Sequence, residues 1–349
     1  MFKVISFKQR EEWEGFIEES NQADVYHQWG YVESYRINGD GDPILFTYKS
    51  ETTEIINVVL KRDISKNPNF KSLPRNKYFD FVSPYGYGGT LIQGDNKLEI
   101  EEYFRLYNEY CTKKNIVSEF VRFNPIQNNI ELLKNYYDVT TLGETVAINL
   151  HSTKMVWENM QARHRSKIRQ SSRKGIEVFC TNSKSILPKF IEIYEETMTR
   201  DQADSYYFFK NDYYSSYFEN LKQNFLIFYA VLNEEIISAA IILLGNRKLH
   251  YHLSGTKDEY HSLAPNNLIL TEVALWGAKN GYETFHLGGG LGSREDSLLQ
   301  YKKKFNKNSN LRFSIGKKIF NHEVYNDLLE KRGFEEEVSF FPEYRAANI

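Results

Sequence analysis

The chain has 349 residues, with 44 Lys and Arg against 46 Asp and Glu, and a formal net charge of −2 at pH 7. This balance gives no global attraction to nucleic acid or anionic lipid, so any anion site has to be local. The length suits about two domains. Two cysteines exclude a disulfide framework, and no apolar run reaches membrane-spanning length. Because the N-terminus does not resemble a signal peptide, we expect a cytoplasmic protein.

The first half of the chain begins with a predicted short strand, an amphipathic helix over Glu11–Glu19 and a second helix over His27–Arg36. Residues 44–62 then alternate apolar and polar side chains around a polar turn, which predicts a β-hairpin. An aromatic strand with glycines (79–89), a helix (99–115) and a further strand (118–123) follow.

The second half repeats this order of elements. A hairpin over 225–247 precedes a strand (249–255), a helix (266–280) and a strand (282–289) that ends in glycines. A unit of three strands, a helix and a strand is the core of a GNAT acyltransferase-like domain. We therefore predict an α/β fold of two tandem GNAT-like domains with a cleft between them, over residues 1–145 and 146–349.

The strongest local signal for chemistry is the basic segment Ala162–Gly175, which has six Lys or Arg and no acid. Helical spacing puts Arg165, Arg169 and Arg173 on one face while Ile168 faces the core. Guanidinium groups in a row match phosphate oxygens of a nucleotide sugar or an RNA. The alternative is a solvated helix surface, although unpaired like charges destabilise a helix and so favour a partner.

A second candidate is Arg200, which ends a predicted helix beside the aromatic cluster Tyr206–Phe209. An arginine at an aromatic edge suits a carboxylate or phosphate ligand. A cation at a helix C-terminus is also favoured by the helix dipole, so both interpretations stay open.

The junction at 251–267 bears on the acyl donor. Conventional GNAT domains have a glycine-rich turn here whose N–H groups bind the CoA pyrophosphate at a helix start. In this chain His261–Asn266 takes its place, and Pro265 has no N–H, which disfavours CoA. His250 and His252 alternate on the preceding strand, and without further ligands they suit packing or hydrogen bonding better than a metal.

The last region of interest is Phe285–Asn306. Gly288–Gly290 and Gly292 allow a close approach of backbone to a ligand, but their spacing is not that of a dinucleotide fingerprint. A basic triple, Lys302–Lys304, follows this glycine run between Tyr301 and Phe305.

Several motifs together resemble the Fem-type (FemAB-like) aminoacyltransferases, which build peptidoglycan cross-bridges, and related GNAT-like acyltransferases of cell-envelope polysaccharide clusters. The motifs are Ser83–Gly89, Arg122–Pro125, the basic Arg165–Arg169 with Lys174 and Gly175, Thr197–Arg200 with Tyr207, and Tyr301–Asn306. The family's phenylalanine and glycine in the last motif are Tyr301 and Asn306 here, and Tyr35 or Arg36 occupies the place of a family lysine.

The resemblance implies roles for individual residues. Lys302 matches the family lysine near the reacting ester, where it would stabilise charge on the carbonyl oxygen. Arg200 is implied as a contact for the acceptor's phosphate. The remaining predicted substrate-binding residues are Tyr207, Arg165, Arg169, Tyr85, Tyr87, Tyr301, His252 and Asn267. No metal site is expected, and the general base stays open among Asp258, Glu259, Tyr251, His252 and a phosphate of the substrate.

The function implied is transfer of an aminoacyl or other acyl group to the amine of an amino-sugar-containing precursor, either nucleotide-linked or lipid-linked. We expect no tightly bound cofactor and a donor that is an aminoacyl-tRNA or an acyl thioester, with acyl-CoA less favoured. Possible partners are tRNA and a membrane surface touched peripherally, but not DNA. The alternative is a non-catalytic protein on the same fold that binds a nucleotide sugar or RNA.

Overall fold

The computed structural model describes residues 1–127, 130–334 and 338–347. It divides into two compact units, one of Met1–Leu142 with Phe313–Ile349 and the other of Gly143–Arg312. The sequence placed the division at residues 145 and 146 and the whole C-terminal segment in the second domain. The structure puts Phe313–Ile349 in the first unit, because a late strand pairs there with a strand of the first repeat.

The regular elements follow the predicted order. The strands are β1 (Phe2–Ser6), β2 (Asp42–Lys49), β3 (Glu54–Asp63), β4 (Phe79–Val82), β5 (Leu91–Gln93), β6 (Ile116–Arg122), β7 (Asp138–Asn149), β8 (Glu177–Thr181), β9 (Phe225–Leu232), β10 (Glu235–Gly245), β11 (Lys248–Thr256), β12 (Thr284–Gly289) and β13 (Leu311–Ile319). The α-helices are α1 (Arg10–Glu19), α2 (Trp29–Asn38), α3 (Lys97–Lys113), α4 (Ile130–Leu133), α5 (Thr153–Asn159), α6 (Ala162–Arg173), α7 (Leu187–Arg200), α8 (Asn211–Ser216), α9 (Pro265–Lys279), α10 (Ser297–Lys303) and α11 (His322–Arg332). Among the described residues, no helix is both long and apolar enough to cross a membrane.

In the first unit the strand order is β1-β2-β3-β4-β6-β13, with β5 on the side of β3. The predicted hairpin is β2 and β3, paired antiparallel from Asp42↔Lys61 to Lys49↔Glu54. Strands β4 and β6 are parallel and are joined through α3, whose apolar face packs on the sheet with Tyr103 and Tyr107 fully buried. The first predicted unit of hairpin, strand, helix and strand is therefore confirmed.

The second unit repeats this arrangement with the strand order β7-β12-β11-β10-β9-β8. Strands β9 and β10 form the hairpin, and Asn233 and Glu234 at its turn both have positive φ, as type I′ turns require. Strands β11 and β12 are parallel and are joined through α9. The mixed α/β fold with two GNAT-like repeats is confirmed.

Glu119 is one of several buried carboxyl groups of the first unit. Glu119 on β6 is fully buried, and Tyr137 donates a hydrogen bond to its Oε2 at 3.1 Å. Burial raises the pKa of Glu119 from the ordinary 4.5 to about 7, although Lys318 and nearby hydroxyl groups partly stabilise the charged form. A carboxyl with a raised pKa costs folding free energy when it ionises, so its contribution worsens as pH rises from about 4.5 to about 7.

We predict that Glu119→Gln removes this pH dependence. The difference between the free energy of unfolding of the variant and that of the parent should be about 2–3 kcal/mol more favourable to the variant at pH 8 than at pH 5. Urea unfolding at both pH values measures the change, and Glu101→Gln on the exposed side of α3 is the matched control. The same change in the free energy of unfolding between pH 5 and pH 8 in the parent and in Glu119→Gln would contradict the raised pKa of Glu119.

Candidate functional site

The candidate site begins where two parallel strands of the second unit separate. Strands β11 and β12 pair only from Lys248↔Thr284 to His250↔His286, although β11 continues to Thr256 and β12 to Gly289. The register with β10 shifts between Leu253 and Tyr251, which leaves a bulge on β11 at this point. The carboxyl ends of the two strands thus diverge, and side chains from later helices enter the opening.

Lys302 on α10 is the charged side chain that enters this opening. It is 7% exposed, and its Nζ donates a hydrogen bond to the Gly289 carbonyl oxygen at 2.6 Å. The Tyr251 ring lies 6.0 Å from the same Nζ. An ammonium group has three donors, and Gly289 is its hydrogen-bond acceptor among the described residues, so two N–H groups remain to bind an oxygen of a ligand.

The charge on Lys302 is sensitive to pH. Burial lowers the pKa of its ammonium from 10.5 to about 8, and the Asp296 carboxylate opposes that effect. Lys302 is therefore mostly charged at neutral pH and loses its proton as the pH rises through about 8.

Three polar side chains line the opening beside Lys302. Asn266, at the start of α9, donates from Nδ2 to the Tyr251 hydroxyl at 3.0 Å and the Tyr301 hydroxyl at 3.4 Å. Burial raises the pKa of both tyrosines, so neither is a phenolate near neutral pH. Tyr301 was predicted as a site residue and Tyr251 as a possible base. Asn266 was missed, since its neighbour Asn267 was chosen instead.

Asn267 has a different environment. It is 6% exposed, its N–H donates to the Ala264 carbonyl oxygen, and its own carbonyl accepts from the Thr271 hydroxyl. A Pro at the first helical position followed by polar residues marks the helix start, but it does not tell which of two asparagines faces the site.

The glycine run at the end of β12 brings backbone close to Lys302. Gly288 has φ of +75°, which is open to glycine and strained for other residues. A Cβ on Gly289 would lie 2.7 Å from the Glu144 carbonyl oxygen. The glycines are therefore needed to place the Gly289 carbonyl where Lys302 reaches it.

His252 lies near the bulge in a hydroxyl-rich environment. Its Nε2 is 2.9 Å from the Tyr217 hydroxyl and 3.2 Å from the Tyr213 hydroxyl. Burial, with a smaller effect of His250, lowers the pKa of His252 to about 3. Its imidazole is thus neutral near pH 7 and too weakly basic to take a proton from an ammonium group.

The basic helix α6 packs on the site from outside. His164, Ile168 and Ser171 form its buried face, and the Ser171 hydroxyl donates to the Leu263 carbonyl oxygen at 2.7 Å, just before α9. The Gln161 N–H, before the helix, donates to the Lys304 carbonyl oxygen at 3.0 Å, just after α10. Helix α6 is therefore joined to both elements that present the site.

The arginines of α6 have different surroundings. Arg165 donates from Nη1 to the carbonyl oxygens of Trp157 and Met160 at the end of α5, which explains its partial burial without a ligand. Arg169 is exposed. We define the α6 surface as the exposed cations Arg163, Lys167, Arg169, Arg173 and Lys174. None of them has an acidic partner within the described ranges.

Arg200 lies at another part of the second unit. Its Nη1 donates to the Thr256 carbonyl oxygen at 3.1 Å, and its guanidinium pairs with Asp201 at 3.2 Å and Asp258 at 3.7 Å. Thr256 is five residues beyond Tyr251, about 16 Å along an extended strand. The contacts of Arg200 thus lie away from Lys302, and Tyr207 packs beside Tyr206 in the following segment.

Tyr85 and Tyr87 belong to the first unit. The Tyr85 ring stacks on Tyr35 at 5.9 Å between centroids, and the Tyr87 ring meets Tyr26 edge-on at 5.7 Å. Both lie in an aromatic cluster. Within the described residues there is no group of three or more His, Cys, Asp or Glu arranged to hold a metal ion.

Comparison with known proteins identifies the class of fold. Residues 159–303 match the acetyltransferase (GNAT) domain family, a range that includes α6, α9 and Lys302. The crystal structure of FemX superposes with a TM-score of 0.69 at 13% identity, covering 93% of this chain and 99% of FemX. A conserved protein of unknown function from Bacteroides thetaiotaomicron superposes with a TM-score of 0.58 at 12% identity, over 91% of this chain and 99% of that one.

A curated relative is similar to part of the chain. The chain is 28% identical over 174 residues to a UDP-N-acetylmuramoylpentapeptide-lysine N(6)-alanyltransferase from Weissella viridescens, which is 48% of this chain and 49% of the relative. The match spans about half the length of that relative. The resemblance to the FemAB-like GNAT acyltransferases, predicted from the motifs, is confirmed.

The start of α9 leads to a prediction about CoA. Ala264 caps the helix in the left-handed conformation, Pro265 has no N–H, and the Asn267 N–H is already bonded to Ala264. Few donors remain for a pyrophosphate, so we expect CoA to bind with a Kd weaker than about 0.1 mM. Calorimetric titration with CoA and acetyl-CoA measures this, and micromolar affinity would place the protein with the CoA-dependent enzymes.

Proposed function

We propose that this protein is an acyltransferase that moves an aminoacyl or related acyl group onto the amine of an amino-sugar-containing cell-envelope precursor. The observation that carries the proposal is the buried Lys302 ammonium, anchored through one N–H to Gly289. The curated relative is named for alanyl transfer to a lysine amine of a nucleotide-linked muramoyl pentapeptide, which supports an amine acceptor of this class.

The role proposed for Lys302 follows from what aminolysis of an ester requires. The acceptor amine attacks the carbonyl carbon, a C–N bond forms, and negative charge develops on the carbonyl oxygen. A buried ammonium aimed at that oxygen stabilises the charge more strongly than one in water. The C–O bond of the ester then breaks, and the leaving oxygen takes up the proton that the amine loses.

The side chains near Lys302 do not supply the first acceptor of the amine's proton. His252 and the two tyrosines beside Lys302 do not have suitable pKa values. Asp258 and Glu259 are both exposed, and Asp258 faces Arg200. A basic group of the substrates, such as a phosphate, remains as the proton acceptor of the reaction.

An aminoacyl-tRNA is the donor that fits the chain best. Helix α6 is joined to α9 and α10, so a phosphate chain on the α6 surface lies beside the elements that carry Asn266 and Lys302. Five exposed cations without acidic partners suit a polyanion, whereas a simple thioester has no use for them. The helix start at Pro265 also disfavours CoA as the source of a thioester.

The α6 surface yields a prediction about salt dependence. The triple variant Lys167→Gln, Arg169→Gln, Arg173→Gln should bind deacylated tRNA more weakly, with a log Kd against log salt slope smaller by about 2. Filter binding at 50–200 mM salt measures the slope. A control triple variant removes the same charge from the first unit and should keep the parental slope. Its substitutions, in α3 and at its end, are Lys97→Gln, Lys113→Gln and Lys114→Gln. Equal slopes for all three proteins would contradict this donor site.

The assignment of Lys302 predicts a loss of turnover. Lys302→Met should fold normally but slow single-turnover transfer by on the order of 100–1,000-fold, the usual effect of removing one oxyanion donor. Alanyl-tRNA and UDP-N-acetylmuramoyl pentapeptide are the substrates to try first, given the curated relative. In the parent, the rate should fall as the pH rises through about 8, because the ammonium then loses its charge.

Lys303 provides the matched control. It is the next residue of α10, but its Nζ pairs with Glu144 at 2.5 Å and Glu295 at 3.4 Å, so Lys303→Met should transfer at nearly the parental rate. Retention of most of the rate by Lys302→Met would contradict the role of Lys302. Binding of these substrates without transfer by the parent would instead favour a protein that only binds a nucleotide sugar or RNA.

A further inference from the structure

Asp296 holds together the two parts of the backbone that create the environment of Lys302. It is the N-cap of α10, and its Oδ1 accepts the Leu299 N–H at 2.8 Å. Its other oxygen, Oδ2, accepts the Leu291 N–H at 2.7 Å, in the loop that follows β12. One carboxylate therefore bonds both the glycine loop and the start of the helix that carries Lys302.

The glycine loop, which contains Gly288–Gly290 and Gly292, closely approaches this carboxylate. A Cβ on Gly290 would lie 2.3 Å from Asp296 Oδ1 and 2.3 Å from the Arg294 carbonyl oxygen, so only glycine allows the approach. The Gly289 carbonyl oxygen, which accepts from Lys302, is one residue earlier. The acceptor and the donor of the Lys302 hydrogen bond are thus fixed to one another through Asp296.

The charges around Lys302 also indicate a role for Asp296. Strand β12 faces Lys302 with the Gly289 carbonyl, and β11 faces it with the neutral Tyr251 ring. On α10, Lys303 is neutralised by Glu144 of β7 and by Glu295. Among the described residues, Asp296 is the carboxylate whose charge acts on the Lys302 ammonium.

We propose that Asp296 is a positioning residue that locks the glycine loop to α10 and keeps Lys302 charged and in place for the reaction. This inference rests on the function proposed above for Lys302. Asp296 itself acts through the lysine and the loop. Mutation can separate two properties of Asp296. Capping of α10 needs only one oxygen that accepts the Leu299 N–H, whereas the negative charge and the bond to the Leu291 N–H need the second carboxylate oxygen.

The test uses Asp296→Asn, with Glu295→Gln as the matched control. Asparagine is as good an N-cap as aspartate, so α10 should persist, but the charge and the acceptor for Leu291 are lost. Glu295→Gln removes one neighbouring carboxylate that has no bond to the loop in this structure. Asp296→Ser, which also caps a helix, serves as a second variant should the first be poorly folded.

The first readout does not depend on any substrate. The lysines are dimethylated with ¹³C-formaldehyde, the Lys302 signal is assigned by its loss in Lys302→Arg, and its pKa is measured by NMR titration. Asp296→Asn should lower that pKa by about 0.5 unit or more, while Glu295→Gln should change it by less than about 0.2 unit. Hydrogen exchange of the Leu291 amide should be faster in both Asp296 variants than in the control.

The second readout is the pH profile of transfer. In Asp296→Asn the alkaline loss of rate should move to lower pH by the same amount as the Lys302 pKa. An unchanged Lys302 pKa, or an unchanged Leu291 exchange rate, would overturn the role of Asp296. Should both change as expected while no variant and no parent protein transfers an acyl group, Asp296 keeps its link to Lys302 and the proposed function is what fails.

Discussion

The hydrogen bond between the Lys302 ammonium and the Gly289 carbonyl is the interaction on which the rest of the site depends. A lysine that is 7% exposed loses most of its hydration, and that loss is tolerable only if the charge finds acceptors. The protein supplies one acceptor and leaves the other N–H directions for a ligand. The cost of burial is visible in the pKa, which falls to about 8.

The fold explains how such a side chain comes to be buried with no carboxylate of the described residues in direct contact. Parallel pairing of β11 and β12 stops at His250 and His286, and the gap beyond it has room for side chains from α9 and α10. Asn306 then fixes the end of the helix, because its Nδ2 donates to the Ala147 carbonyl oxygen of β7 at 2.6 Å. This side-chain bond joins the segment after α10 to β7.

The sequence was sufficient for the architecture and insufficient for the contacts. The alternation of apolar and polar residues in the hairpins and the helical spacing of apolar residues are local patterns. They predicted both repeats and α6 correctly. The assignment of Phe313–Ile349 to the first unit depends on β13 pairing with β6, a contact between residues almost 200 positions apart that no local pattern encodes. Helical spacing also predicted that Arg165 and Arg169 share one ligand-binding face, but Arg165 donates to a carbonyl group at the end of α5. Asn266 and Asp296 were missed because caps and helix starts look alike whether or not they face a site.

The central claim is that Lys302 binds the charged oxygen of the transition state in preference to the neutral carbonyl. The most direct measurement compares the affinity of the parent and of Lys302→Met for a tetrahedral phosphonate analogue of the aminoacyl ester and for the planar amide. We expect the parent to prefer the phosphonate by on the order of 100-fold, and Lys302→Met to lose this preference while keeping its affinity for the amide. An equal loss of affinity for both compounds would show that Lys302 binds the ground state as well, and would contradict the claim.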